Sequence, residues 1–418
     1  MLSLVALSSL LLPLASAMPC VQFDTAWNLY AFGGSEDVNL GQSSSWGSPK
    51  PQTLTSTGRP PWTGNNTQCL LSQYNNAMYV LGGDASDPSK IYIYNFAGNS
   101  WSTQSTSSPP PDFGNSRSAT ILDHDTNVFF TLTTGSGLYQ LDLSSVQATA
   151  ASDSLAWEAV TAPSFSTNGY TPVAAQASNH INYFGVPNTP AGSADIFIVH
   201  FAKFQEQPQA YPTQNGGAAF PDTAGQAFSI PSAGDSPPYQ MVFVPNDFSQ
   251  SFVVTHWTDP GDYTRTDTAP MPLSLVNSTQ LLPAPSSKDS QAAYAASDNS
   301  LVQIDSKGDI YYLTDAVSNY AVSGSASWQK LGYSVSGVSG GSTSSSAASG
   351  SASASASGSA TATRSSGSAS GSASGSARSA GASAASSSGA AMGTVGDVRW
   401  GSMLLPVGLV ALGAAAVF

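Results

Sequence analysis

Charge is scarce in this sequence. Only 9% of its 418 residues are charged, and lysine and arginine together number 12 against 25 acidic residues, for a formal net charge of −13. That balance argues against nucleic acid or an anionic membrane surface as a partner, and is compatible with neutral glycans, cations or a basic protein. Glutamate is nearly missing, with 3 Glu against 22 Asp. Aspartate closes turns through its short side chain, whereas glutamate favours helices, so the bias speaks against a helical protein. Helical periodicity is almost absent as well. There are two cysteines, and no zinc-type spacing, phosphate-binding glycine loop or Ser-His-Asp motif. Long apolar runs occur only at the two ends of the chain.

What is present is a strand-and-turn rhythm, clearest in residues 78–101, MYVLGGDASDPSKIYIYNFAGNSW. A β-branched and aromatic run ends in Gly82-Gly83, and a turn carries Asp84, Asp87 and Pro88. A second run, Ile91-Tyr92-Ile93-Tyr94, leads through Asn95, Gly98 and Asn99 to Trp101. Such runs, broken by Gly, Asp, Asn and Pro, predict antiparallel strands joined by short turns.

The pattern recurs. Leu29-Tyr30-Ala31-Phe32-Gly33-Gly34 stands 49 residues earlier, with Trp46 beyond it. Residues 128–134 end at Gly135, continue as Leu138-Tyr139-Gln140-Leu141-Asp142 and reach Trp157. Asn182-Tyr183-Phe184-Gly185 precedes Ile196-Phe197-Ile198-Val199-His200, with Phe204 in the place of the tryptophan. Residues 238–244 and 251–257 form a degenerate fifth unit, and 301–304 with 310–313, closed by Trp328, a sixth. An apolar run into Gly-Gly, an aromatic strand and a later Trp resembles the kelch repeat. That resemblance implies an all-β, kelch-type β-propeller of six blades, with seven left open, in which each repeat makes one four-stranded blade. The expected propeller spans residues 18–333.

Residues 1–17 fit a secretory leader with a small-residue cleavage site at Ala15-Ser16-Ala17, although no Lys or Arg precedes the apolar run. Export bears on the cysteines. Cys20 lies 13 residues before Gly33, and Cys69 lies 13 residues before Gly82, so both occupy the same place in consecutive units. Two cysteines in a secreted chain usually pair, and a Cys20–Cys69 disulfide is expected over a thiol or metal site. Sequons at Asn65 and Asn277 fall between the proposed units, where a glycan would stay in solvent.

From 334 to 388 the chain is Ser, Ala and Gly with no aromatic residue and only Arg364 and Arg378 charged. Such a stretch cannot bury enough apolar surface to offset chain entropy, so it reads as a disordered, O-glycosylated stalk. Ser388-Gly389-Ala390, a polar stretch and an apolar tail of 16 residues to Phe418 match a GPI-attachment signal over 389–418, with Ser388 or Gly389 lipid-bearing. The tail is shorter than the roughly 20 residues of a spanning helix, and no Lys or Arg follows it. Leader, stalk and lipid signal together resemble fungal cell-surface proteins, which places the chain outside the cell, at the surface or wall.

The search for chemistry gives structural answers. The propeller resemblance includes copper-radical oxidases such as galactose oxidase, which use two His and two Tyr, one of them cross-linked to Cys. Here the cysteines are better explained as a disulfide. His124 and His180 fall between first and second strands, and His200 follows an aromatic strand. His256 is the least explained. Asp123-His124-Asp125 lacks the glycine and distal Glu of a calcium loop. The least bland ligand candidates are His256, Trp257, Asp259, Asp262 and Tyr263, whose aromatics and carboxylates could stack on and bond a sugar. A Pro-Gly turn flanked by blade aromatics is the plainer account. No metal or other cofactor is expected. The leading reading is a non-catalytic surface module with an unidentified extracellular ligand, glycan or protein. A carbohydrate-active enzyme on the propeller face is the alternative.

The tail gives a direct test. Phosphatidylinositol-specific phospholipase C is expected to release the protein from membranes, with mature peptides ending near Ser388. Recovery of peptides from 403–418 would replace the lipid anchor with a spanning helix.

Overall fold

The computed structural model describes residues 18–338, apart from 65, 114–117, 212, 214–217, 235 and 257–278. The leader, nearly all of the stalk and the attachment signal lie outside the described residues, as do Asn65, Asn277, Ser388 and Gly389. Six antiparallel sheets follow one another along the chain, each with four strands in consecutive order. Blade IV adds Gln209–Ala210 against its third strand. The inner strands are Cys20–Phe23, Gln68–Ser72, Ser118–Leu122, Ala174–Ala177, Gly225–Ile230 and Ala293–Ala296, for blades I to VI. Each packs against the next, and the sixth packs against the first, so the ring closes at six. Among the described residues, helix is confined to two 3-10 turns, Ser43–Ser45 and Val199–Phe201. None of the described helices is long and apolar enough to cross a membrane.

Blade II shows how the sequence makes this shape. Ala77–Leu81 pairs with Ile91–Asn95, placing Met78 opposite Tyr94, and Tyr94 lies opposite Trp101 of Ser100–Gln104. Successive strand residues point to opposite faces. Met78, Val80, Tyr92, Tyr94 and Trp101 enter a core shared with blade I, which holds Cys20, Tyr30 and Phe32. Ala77, Tyr79, Leu81, Ile91 and Ile93 enter another, shared with Phe129, Leu141 and Trp157 of blade III. Both faces of the sheet are buried, so its strands read as unbroken apolar runs rather than alternating ones. Gly82 ends the second strand at φ +63°, and a Cβ there would lie 2.6 Å from the Asn66 carbonyl oxygen. Glycine is the residue that accepts both conditions.

The same arrangement gives six apolar clusters, one at each junction between blades. Inner-strand side chains bond across most junctions. Gln22 Nε2 donates to the Cys69 carbonyl at 3.1 Å, and Gln68 Oε1 accepts from Thr120 N at 2.7 Å. Gln176 Oε1 accepts from His124 N at 3.3 Å, Ser229 Oγ donates to the Gln176 carbonyl at 2.8 Å, and Gln226 Nε2 donates to the Ala292 carbonyl at 2.8 Å. Cys20 and Cys69 are joined by a disulfide, as expected, between the inner strands of blades I and II. By the chain-entropy estimate, a loop of this size is worth about 4 kcal/mol.

Blades VI and I meet without strand exchange. Val335 and Leu331 pack into a cluster with Val21, Leu29, Val38 and Trp46. Ser35 N donates to the Ser336 carbonyl at 2.7 Å. Arg59 holds the same turn, with Nη2 donating to the Gly34 carbonyl at 2.8 Å and pairing with buried Asp37 at 3.1 Å. Burial pushes the Asp37 carboxyl up to about 6, against the opposing pull of Arg59 and the Gly33 N–H.

Two expectations change. The fifth unit does not end at Trp257: its third strand is Ser251–Thr255, and its fourth, Thr279–Leu282, resumes only after 257–278. His180 is the first residue of the strand His180–Tyr183, because the turn before it takes only Ser178 and Asn179.

Closure is testable at Gly34. An added Cβ would lie 2.2 Å from Val335 Cγ1 and 2.6 Å from the Ser336 carbonyl oxygen. Gly34→Ala is expected to cost about 1–3 kcal/mol in denaturant unfolding. Gly324→Ala, where a Cβ meets nothing within 4 Å, stays within about 0.5 kcal/mol. Equal stabilities would show that this contact does not hold the ring.

Candidate functional site

The six inner strands surround an axial cavity of about 440 Å³. Each inner strand pairs on one side only, so its other edge turns unpaired peptide groups toward the axis. Because the inner strand comes first in every blade, all six run the same way. The first-to-second and third-to-fourth connections therefore gather at one end of the ring. At that end Gln73 Nε2 of blade II donates to the Ser232 carbonyl of blade V at 3.0 Å. These blades face each other across a ring of six, so the bond spans the axis. Pro231 and Pro238 line the cavity beside it. The other mouth, ringed by Met18, Thr171 and Ser290, has no such bridge among the described residues.

All four histidines belong to the bridged end. His124 lies in the turn after the inner strand of blade III, where Asp123 Oδ2 accepts from Thr126 N at 3.1 Å. Burial raises the Asp123 carboxyl, opposed by its bonds to Thr126 and Gln176. His200 is exposed and accepts at Nδ1 from Asn179 Nδ2. His180 and His256 are buried and face each other across blades IV and V, with His256 Nε2 3.1 Å from His180 Nδ1. His256 Nδ1 lies 3.2 Å from Tyr211 Oη, which is 2.6 Å from Asn182 Oδ1.

Donor inventory fixes the direction of this chain. The amide oxygen of Asn182 only accepts, so Tyr211 gives it the one hydroxyl proton. His256 Nδ1–H then donates to the Tyr211 oxygen, and His256 Nε2 accepts from His180 Nδ1–H. Burial, with the charge of His180 second, holds His256 well below the usual imidazole range, so it is neutral. Burial likewise holds the Tyr211 phenol in its protonated form. The set is a one-way relay, with His256 and Tyr211 neutral, that locks two blades together.

Of the candidate residues read from the sequence, only His256 is described. Trp257, Asp259, Asp262 and Tyr263 lie outside the described residues. The chain leaves blade V at Thr255 and re-enters it at Thr279, both at the bridged end. Among the described residues, no group of three or more His, Cys, Asp or Glu is placed to hold a metal ion. Both cysteines are in the disulfide, so neither is a thiol that could cross-link to tyrosine.

Three aromatic side chains at the bridged end were not among the ligand candidates drawn from the sequence. Tyr74 of blade II is 84% exposed, Phe201 of blade IV 58% and Tyr320 of blade VI 42%. Each sits in a connection after a first or third strand. They are the large aromatics exposed among the described residues, and they stand on alternate blades. A Tyr or Phe beside a strand run looks like strand, which is why position in the connection was the only signal.

No protein-family model and no curated protein matches this chain. Among solved structures, that of a streptogramin B lyase is similar over 77% of this chain and 84% of its own, at 12% identity and a TM-score of 0.36. The propeller assignment stands on the strand pairing, and no chemistry is taken from that neighbour.

The relay predicts a pH dependence. Unfolded His256 takes a proton near pH 6.5, whereas the folded one takes it only at much lower pH, so stability is fully present above about 6.5 and falls as pH drops below it. The slope is up to about 1.4 kcal/mol per pH unit for this one proton. His256→Gln is expected to be less stable at pH 7.5, with the gap to wild type narrowing steadily toward pH 5. Parallel unfolding free energies over that range would refute neutral burial.

Proposed function

We propose that the chain is a kelch-like propeller displayed outside the cell on a glycosylated, lipid-anchored stalk, and that it binds neutral polysaccharide without turning it over. The observation that carries this is the placement of Tyr74, Phe201 and Tyr320 at one end of the ring. An exposed ring offers an apolar face to the C–H face of a sugar, and three of them on alternate blades suit an extended chain. The carboxylates support the non-catalytic side of the reading. Asp24 accepts from Ala26 and Asn28 N–H groups, and Asp84, Asp123, Asp142 and Asp305 close turns in the same way. These are structural engagements of the groups a glycosidase would need free.

A glycan array on purified protein is expected to show binding to neutral polysaccharides. Tyr74→Ala, Phe201→Ala and Tyr320→Ala should each weaken it about three- to tenfold, the effect of losing one ring contact of roughly 0.5–1.5 kcal/mol. Melting temperatures should stay at the wild-type value, since these side chains are exposed. Shortened products after incubation would favour the carbohydrate-active enzyme, and binding unaffected by all three changes would remove this end as the site.

A further inference from the structure

The axial cavity is a second candidate site; of the three exposed aromatics only Tyr74 borders it, at the bridged end, while Phe201 and Tyr320 lie outside its lining. Its wall is built from six sheet edges, whose peptide groups not already bonded to Gln22, Gln68 or Ser229 offer both donors and acceptors. Amides and hydroxyls line it between those edges, including Gln22, Gln68, Ser118, Gln226 and Ser229. Gln226 Oε1 is buried and has no hydrogen-bond partner among the described residues. Phe228 and Tyr294, half-buried in the same wall, stack at 5.2 Å with an interplanar angle of 6°. No Lys, Arg or Glu lines the cavity among the described residues, and its single carboxylate, Asp123, is bonded to Gln176 and Thr126.

Each property removes a class of ligand. An ionised ligand enclosed here would find only Asp123, already bonded to Gln176 and Thr126, and the His124 ring to offset its desolvation, a cost of several kcal/mol. A purely apolar ligand would strip water from the peptide edges and amides without replacing their hydrogen bonds. A neutral molecule with many hydroxyls satisfies both donors and acceptors, and its C–H face suits the stacked rings. The volume falls within the range of small-molecule sites, roughly 300–1,000 Å³. The Gln73–Ser232 bond and the prolines beside it form a floor, so entry is from the mouth at Met18, Thr171 and Ser290.

We propose that this cup binds an uncharged mono- or disaccharide, entering from the end opposite the exposed aromatics. It rests on cavity chemistry and not on the polysaccharide reading above.

Isothermal titration of the purified protein with maltose, cellobiose and mannobiose tests it, with gluconate, glucosamine and calcium chloride as charged controls. At least one neutral disaccharide is expected to bind, and each charged control at least tenfold more weakly. Ser290 is exposed at the mouth, and it is its backbone carbonyl that accepts from Gln226. Ser290→Trp should therefore fold normally, as checked by its melting temperature, and weaken the disaccharide at least tenfold. Phe201→Ala, whose side chain does not line the cavity, should leave disaccharide affinity unchanged. No binding of any neutral disaccharide, equal binding of a charged control, or full affinity in Ser290→Trp would each overturn the proposal. Loss of disaccharide binding in Phe201→Ala would move the sugar to the aromatic end and overturn it too. Polysaccharide binding that survives Ser290→Trp leaves the aromatic-end reading standing on its own.

Discussion

Every sheet here is apolar on both faces, and no sheet can bury both by itself. Tyr79 and Ile93 look one way out of blade II, while Val80 and Tyr94 look the other. A sheet of this kind is stable only between two others. A row of them has two uncovered ends, and the ring removes those ends by setting the sixth sheet against the first. The contact of Val335 and Leu331 with Val21, Val38 and Trp46 is thus the condition on which the other five junctions depend. It is made by the last strand of the last blade, so the covering of blade I waits for the whole propeller to be present.

Around the axis a different problem arises. Twisted sheets that pack face to face splay their inner strands, which cannot pair backbone to backbone with their neighbours. Side-chain amides bridge the gap instead: Gln22 and Gln68 each reach a peptide group of an adjacent inner strand, and Gln176 and Gln226 each reach one just beyond its end. A glutamine can give and accept from one planar group, and it does so without bringing charge to the axis. The disulfide adds a covalent link at the first of these junctions, where Cys20 and Cys69 already face one another.

How much of this was legible follows from the range of each interaction. Strands and turns are local, so the aromatic runs, the Gly-Gly stops and the Asp-rich turns identified the blades, while the count of six over seven needed the contact of the sixth inner strand with the first. The matched spacing of Cys20 and Cys69 revealed a long-range contact because the repeat carries its own ruler. That ruler fails in blade V, where 257–278 separates the third strand from the fourth and the expected unit stops at 257. The relay was out of reach for another reason. Tyr211 meets His256 across 45 residues, and His256 meets His180 across 76, with no spacing pattern to tie them. The glutamine bridges were equally silent, since a polar residue in a strand reads only as a solvent position.

The two ends of the ring are unlike because they collect different connections. First-to-second and third-to-fourth connections gather at one end, together with all four histidines and the exposed aromatics. Linkers between blades gather at the other, where Arg59 and Asp37 brace the closing turn. Between them lies an axis kept neutral in a chain of net charge −13. Aspartates that cap turns sit where strands end, and the inner strands run without them along the cavity. The same residue preference that makes turns therefore clears charge from the centre, and leaves it furnished with peptide edges, amides and hydroxyls. A propeller built by this rule acquires a neutral, hydrogen-bonding core as a by-product of its turn chemistry, before any ligand has shaped it.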